Sequence, residues 1–347
     1  MSEMPQVWVL PIEPFEERYT EQWLRWYPAD LKRGGCDVKL IMGTQLAATE
    51  RDGGEFLDPV NTWRWKGSQI ERLAEAWKNG SIECGDWILS LDGWGPATTA
   101  AAYLRDTTGK NVKLAVFMHA GSYDPNDFLA HRNMRRWAMD VERGWIKSVD
   151  LLLLGSKSHQ DMIQRELQIA DNEMPSVAII GNPVKQKELW EIAHPVKWTH
   201  RERLVVFPHR LAPEKQPELL NEVRRLHSMI YPDAPPTLWI KTRDVCNSKS
   251  EYYELLAKSR VALSFAKQET FGIAMQEAIA LGAWAVAPNA LAYPETIKDG
   301  SGSLFNSLTE AAVQVEKHLL YTGPANWDGH HEKAAVRAAQ AIIRNSR

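Results

Sequence analysis

The stretch Val261–Ile297, VALSFAKQETFGIAMQEAIALGAWAVAPNALAYPETI, carries two glutamates, Glu269 and Glu277, on either side of a Thr270-Phe271-Gly272 turn. The apolar run that ends at Ser264 reads as a buried strand, and the residues from Ile273 onward read as a helix. A helix start presents unpaired N–H groups and a positive dipole end, so the amides of Thr270, Phe271, Gly272 and Ile273 suit a diphosphate oxygen. Gly272 permits close backbone approach. Glu269 precedes the first turn and can reach a sugar hydroxyl. Glu277 lies about one and a half turns into the helix and can bind the vicinal hydroxyls of a ribose. A second stretch, LVVFPHRLAPEKQ over Leu204–Gln216, brings Arg210 to the end of a strand with Lys215 shortly after it. Ligands of open α/β sheets bind beyond the carboxyl ends of the strands. Two cations there can neutralise a nucleotide diphosphate and the charge that develops on it as it leaves.

The elements that must hold these residues are legible as short apolar runs alternating with amphipathic stretches, the pattern of an α/β fold with buried parallel strands. In the first half, strands are expected at Gln6–Leu10, Val38–Met42, Trp87–Leu91, Lys113–Met118, Leu151–Leu154 and Ser176–Ile180. Helices are expected at Tyr19–Lys32, Ile70–Lys78, Ala97–Arg105, Phe128–Lys147 and Gln160–Leu167. The pattern restarts after a polar segment, Asn182–Arg203, with strands at Leu204–Phe207, Thr237–Ile240, Val261–Ser264, Ala283–Ala287 and Ser303–Phe305. Its helices are expected at Pro217–Met229, Ser250–Ser259, Ile273–Leu281 and Thr309–Leu320. A chain of 347 residues exceeds what one core usually organises. Two doubly wound, Rossmann-like domains facing across a cleft are therefore predicted, over residues 1–183 and 184–325, and a last helix within 326–347 crosses back to the first.

With these residues in view, the chain resembles the retaining glycosyltransferases built from two Rossmann-like domains, the GT-B fold, in its sucrose-synthase-like group. That group reads E-(S/G/T)-F-G-x-x-x-x-E-A-x-A-x-G and then a loop with P-E, which this sequence matches from Glu269 to Gly282 and at Pro294-Glu295. The group's G-R-x-x-x-E-K-G corresponds to Arg210–Lys215, although Pro208-His209 and Gln216 stand where glycines are usual. AVFMHAGSYDP, from Ala115, is similar to the group's H-x-G loop, and the resemblance implies that His119 lies beside the transferred sugar. LLLLGSKSHQDM and IIGNPV resemble its Ser-x-Ser segment and interdomain turn. The group's N-terminal glycine-glycine loop is absent, its place held by Pro11–Thr20. The resemblance implies front-face substitution with retention, in which the leaving phosphate helps deprotonate the acceptor, and catalytic roles for His119, Arg210, Lys215 and Glu269. The implied co-substrate is a nucleotide sugar, UDP-glucose first; Asp-x-Asp spacing is missing near any strand end, so neither a metal nor another cofactor is expected. Glu269→Ala and Lys215→Ala are expected to abolish turnover and leave the fold intact.

The acceptor is less sharply written. Asp92-Gly93-Trp94 follows a strand, so Asp92 can orient an acceptor hydroxyl or cap the next helix, while Trp63, Trp65 and Trp94 can stack on an acceptor or fill a core. Ser122 and Tyr123 lie in the His119 loop, and Arg132, Arg135, Arg136 and Arg143 recur at helical spacing after it. A net charge of −3 excludes a globally cationic nucleic-acid binder but leaves room for such a stripe. A basic stripe near tryptophans suits a polyanion such as DNA, or is a solvated helix face. The His119 loop and the EERYTEQW start also look, more loosely, like bacteriophage-type enzymes that glucosylate 5-hydroxymethylpyrimidines, here 5-hydroxymethylcytosine, in double-stranded DNA. The competing expectations are a carbohydrate, lipid head group or small-metabolite acceptor, and a non-catalytic sugar-nucleotide binder. Three scattered cysteines, an acidic N-terminus and no apolar run of membrane length predict a cytoplasmic protein without a membrane partner.

Overall fold

The computed structural model describes residues 4–15, 18–44 and 59–346. Glu16 and Glu17 of the EERYTEQW start lie outside them. The elements run β1 (Gln6–Leu10), α1 (Tyr19–Arg33), β2 (Asp37–Leu40), α2 (Pro59–Lys78), β3 (Trp87–Ser90), α3 (Pro96–Thr108) and β4 (Lys113–Phe117). Then come α4 (Phe128–His131), α5 (Arg135–Ser148), β5 (Leu151–Leu154), α6 (Lys157–Leu167) and β6 (Ser176–Ile179). The second series is α7 (Gln186–Ala193), β7 (Leu204–Phe207), α8 (Leu219–Ile230), β8 (Leu238–Lys241), α9 (Thr242–Val245), α10 (Lys249–Lys258) and β9 (Val261–Leu263). It continues through α11 (Ile273–Ala280), β10 (Trp284–Pro288), α12 (Tyr293–Thr296), β11 (Gly302–Phe305) and α13 (Leu308–Leu319), and the chain closes with α14 (Ala334–Ser346).

Two compact units result. The first comprises residues 1–155, 160–180 and 333–347; the second comprises 156–159 and 181–332. Each is an open parallel sheet flanked by helices, Rossmann-like in topology. The first sheet has the order β2-β1-β3-β4-β5-β6 and the second β11-β10-β9-β7-β8. Strands such as Leu151–Leu154 are covered on both faces, which is why they read as unbroken apolar runs. In the second sheet, β7 is followed by β8 on one side and by β9 on the other, so the winding reverses between β7 and β9. The corresponding reversal in the first sheet lies between β1 and β3. Crevices at the carboxyl ends of strands open at such switch points.

Two departures from the sequence reading have physical causes. The single helix expected over Phe128–Lys147 is two, because Asn133 takes a left-handed φ of 59° between α4 and α5. The polar segment Asn182–Arg203, for which no helix is expected, holds α7, whose Leu189 and Ala193 are buried. Helix α1 runs through Pro28, as the helix expected over Tyr19–Lys32 requires. In the first unit, the alanine-rich face of α14 packs on α1 so closely that a Cβ on Gly34 would come within 2.4 Å of the Ala339 Cβ. Trp87 Nε1 donates to Ser346 Oγ there at 2.8 Å. Among the described residues no helix is long and apolar enough to cross a membrane.

Candidate functional site

The loops after β7 and β9 flank the switch point of the second unit, and they carry the residues whose chemistry stood out in the sequence. After β9 the buried Ser264 shares a 2.7 Å hydrogen bond with the Tyr293 hydroxyl. The chain then turns so that Glu269 Oε1 accepts the Gly272 amide at 2.9 Å and, more weakly, the Phe271 amide at 3.4 Å. Two of the four amides expected to face a diphosphate are thus taken by Glu269 itself. Gly272 caps α11 with φ of 88°, and a Cβ there would meet Tyr293 Cε1 at 3.0 Å. Gly272→Ala is therefore expected to cost about 1–2 kcal/mol from the left-handed backbone alone and to displace Glu269. A lowered melting temperature with reduced activity would show this; an unchanged value of both would contradict it.

The cations come from the loop after β7. A 3₁₀ turn, Pro213–Lys215, places Lys215 where its Nζ donates to the Gln268 carbonyl and stands 3.2 Å from Glu269 Oε2. Arg210 is ion-paired with the buried Glu214. Burial by itself would raise the Glu269 carboxyl, but the Lys215 charge, His209, the Lys215 hydrogen bond and the Gly272 amide outweigh it and hold Glu269 below the usual glutamate range. A carboxylate kept ionised beside a lysine can accept hydrogen bonds from a sugar. The same lysine can turn toward an incoming phosphate.

Glu277 is held differently. Its two oxygens accept the hydroxyls of Tyr253 at 2.8 Å and Tyr252 at 3.1 Å, both on α10. Burial raises its carboxyl, with Lys249 and the two tyrosines opposing. Sequence reasoning missed both tyrosines, since nothing in the α10 pattern tells which way they face. The Ser-x-Ser and P-E segments meet: the amides of Lys157 and Ser158 donate to the two oxygens of Glu295 at 2.7 and 2.6 Å. Ser156 Oγ donates to the Thr270 carbonyl at 2.8 Å. Glu295 therefore holds backbone in place.

In the first unit, Asp92 follows β3 and forms a 2.7 Å ion pair with Lys66 of α2, a partner the sequence did not suggest. Its other oxygen accepts the Trp94 amide at 2.9 Å. Burial would raise the Asp92 carboxyl, but Lys66, His119 and the Trp94 amide hold it below the usual aspartate range. His119, after β4, lies 2.8 Å by Nε2 from the Leu91 carbonyl. A carbonyl only accepts, so Nε2 carries the proton and Nδ1 keeps its lone pair. Burial lowers the imidazole from its ordinary value against the pull of Asp92 and the Leu91 carbonyl, leaving it neutral at pH 7.

The acceptor candidates sit in very different surroundings. Ser122 and Tyr123 are fully buried, and Ser122 gives both its amide and its hydroxyl to the buried Glu142, each at 2.7 Å. Glu142 also accepts Trp94 Nε1 at 2.6 Å, so Trp94 is anchored from below, edge-on to Trp137 and Trp145. Trp65 is 1% exposed and belongs to the core, whereas Trp63 is 51% exposed. The basic stripe is interrupted where α4 ends: Arg135 serves the Tyr123 carbonyl and Glu166, and Arg143 serves the Leu167 carbonyl and Asp140. Arg132 and Arg136 lie on the exposed surface.

Residues 245–319 match the family described as glycosyl transferases group 1. This segment contains Tyr252, Tyr253, Glu269, Gly272 and Glu277, but neither Arg210 nor Lys215. Among solved structures, the chain is similar to the sucrose-phosphate synthase of Thermosynechococcus elongatus (12% identity, TM-score 0.63, covering 98% of this chain and 94% of that one). It is also similar to an α,α-trehalose-phosphate synthase (UDP-forming) from Burkholderia vietnamiensis (14% identity, TM-score 0.57, 99% and 96% covered). A third is Anabaena HepE, solved in complex with UDP and glucose (14% identity, TM-score 0.55, 99% and 95% covered). The fold is GT-B.

Proposed function

We propose that this protein is a retaining glycosyltransferase that takes a hexose, glucose in the first instance, from UDP-glucose. The observation that carries the reading is the direct contact of Lys215 with Glu269 beside the β7–β9 switch point, with Arg210 on the same loop as Lys215 and Glu277 on the helix that follows Glu269. The matched family segment and the UDP bound to HepE support it. Lys215 and Arg210 exchange their carboxylate partners for the diphosphate and stabilise the leaving group. Glu269 orients the transferred sugar, and Glu277, with its tyrosines, takes the ribose. His119 and Asp92, which belong to the first unit, are assigned to the acceptor. The leaving diphosphate accepts the proton of the acceptor hydroxyl as the new bond forms, so no strong protein base is needed. Because two side-chain cations meet the leaving-group charge, turnover is expected to persist in EDTA.

For the acceptor, the reading is the hydroxymethyl group of 5-hydroxymethylcytosine in double-stranded DNA. It is supported by the exposed Arg136 and the 47% exposed Trp137 beside the α4–α5 break, a cation and a stacking surface side by side. Arg136→Glu and Trp137→Ala are expected to weaken DNA binding several-fold, and Arg136→Glu alone to reduce the salt slope by about one. An unchanged slope would remove the arginine from the interface. Incubation with UDP-glucose and hydroxymethylated DNA, followed by mass spectrometry of the nucleosides and NMR of the new anomeric centre, tests the whole reading. An α-linked hexose on the base supports it. Transfer to free sugars alone would replace the acceptor, an inverted product the mechanism, and absence of both transfer and donor hydrolysis the enzymatic reading.

A further inference from the structure

The loop after β7 holds a group that the proposed chemistry has not yet used. His209 follows Pro208 in the position where the resembled motif has a glycine, immediately before Arg210. It is 5% exposed, its ring stands edge-on to Phe207 at 5.2 Å, and Phe207 stacks in turn on Phe265. Its Nε2 is buried without a hydrogen-bond partner. An unsatisfied buried nitrogen is costly, and such a group in a native fold calls for an explanation. Its surroundings narrow the explanation: Lys215, Glu269 and Arg210 are the charged groups that act on the ring.

Two cations and a carboxylate already paired with one of them favour an anionic oxygen as the missing partner, and toward such an oxygen Nε2 must act as donor. Resting on the nucleotide-sugar reading, we infer that His209 is a ligand-binding residue whose Nε2–H donates a hydrogen bond to a diphosphate oxygen of the bound nucleotide. A glycine at this position has no such donor, so the substitution adds a contact to the site. Burial, Lys215 and Arg210, opposed by Glu269, hold the imidazole down to about 3, so it is neutral throughout the physiological range. It thus binds the anion without adding a third positive charge to a crowded site.

The test is UDP binding by calorimetry to the full-length protein and two variants. His209→Phe keeps the ring, its volume and the contact with Phe207 but deletes the donor. His209→Gln places an amide N–H near the lost Nε2. Expected are a melting temperature for His209→Phe equal to or above that of the wild type, a roughly tenfold to hundredfold loss of UDP affinity, and partial recovery in His209→Gln. A packing role would lower the melting temperature and leave affinity alone. Wild type that binds UDP and His209→Phe that binds it equally would overturn this inference while sparing the nucleotide-sugar reading. Wild type that binds neither UDP nor UDP-glucose would overturn both.

Discussion

Lys215→Ala is expected to lower turnover by roughly 10²–10³-fold, the usual effect of removing one charged contact from a developing leaving group. It is also expected to weaken the second unit, which amends the sequence-based expectation of an intact fold. Lys215 and Glu269 have side chains only 8% and 17% exposed, and Lys215 also satisfies the Gln268 carbonyl. Removing one partner of a largely buried pair costs about 3–5 kcal/mol, because the other charge stays behind. Stability and chemistry separate in the double variant Lys215→Met/Glu269→Gln, which takes away both charges. Its melting temperature should recover most of the loss while its turnover stays near zero. Near-normal transfer by the stable double variant would remove these residues from the reaction.

A comparably large effect is expected on acidification. His209 is held down to about 3, chiefly by burial, and His318 is held down to about 4 by burial and Lys317. Free histidine titrates near 6.5. Below that pH the unfolded chain takes up a proton at each position and the folded chain does not, so stability is complete above about pH 6.5 and declines as pH falls. Each imidazole contributes up to about 1.4 kcal/mol per pH unit, on the order of 3 kcal/mol between pH 6.5 and 4. Glu142 and Glu277, raised by burial, act in the opposite direction, because their folded forms take up protons first. Comparing wild type with His209→Gln/His318→Gln isolates the histidines: the wild-type melting temperature should fall more steeply between pH 7 and 4.5. Parallel curves would contradict the assignment.

What could be read from the sequence, and what could not, follows from the range of the interactions. Leu151–Leu154 and Leu204–Phe207 stand as strands where the sequence predicts them, because strands buried on both faces declare themselves by composition alone. Arg210, Lys215, Glu269 and Glu277 were legible because each sits at a fixed offset from a strand end or helix start. Their partners were not. Tyr252 and Tyr253 reach Glu277 only because α10 packs beside α11, and Lys66 reaches Asp92 from a helix with no chemical signature of its own. Nothing in the sequence sets Glu142 apart, yet it is the buried carboxylate that accepts from Ser122 and Trp94. The stripe is interrupted for a local reason, a left-handed Asn133 that helical spacing does not foresee. Tryptophan was ambiguous from the start: Trp23, Trp65 and Trp87 are wholly buried, while Trp63 and Trp137 remain half exposed.

The most direct measurement is a crystal structure of the protein with UDP. The diphosphate should lie against Arg210, Lys215 and the start of α11, with the ribose on Glu277. Nucleotide seated anywhere else on the chain would contradict the account.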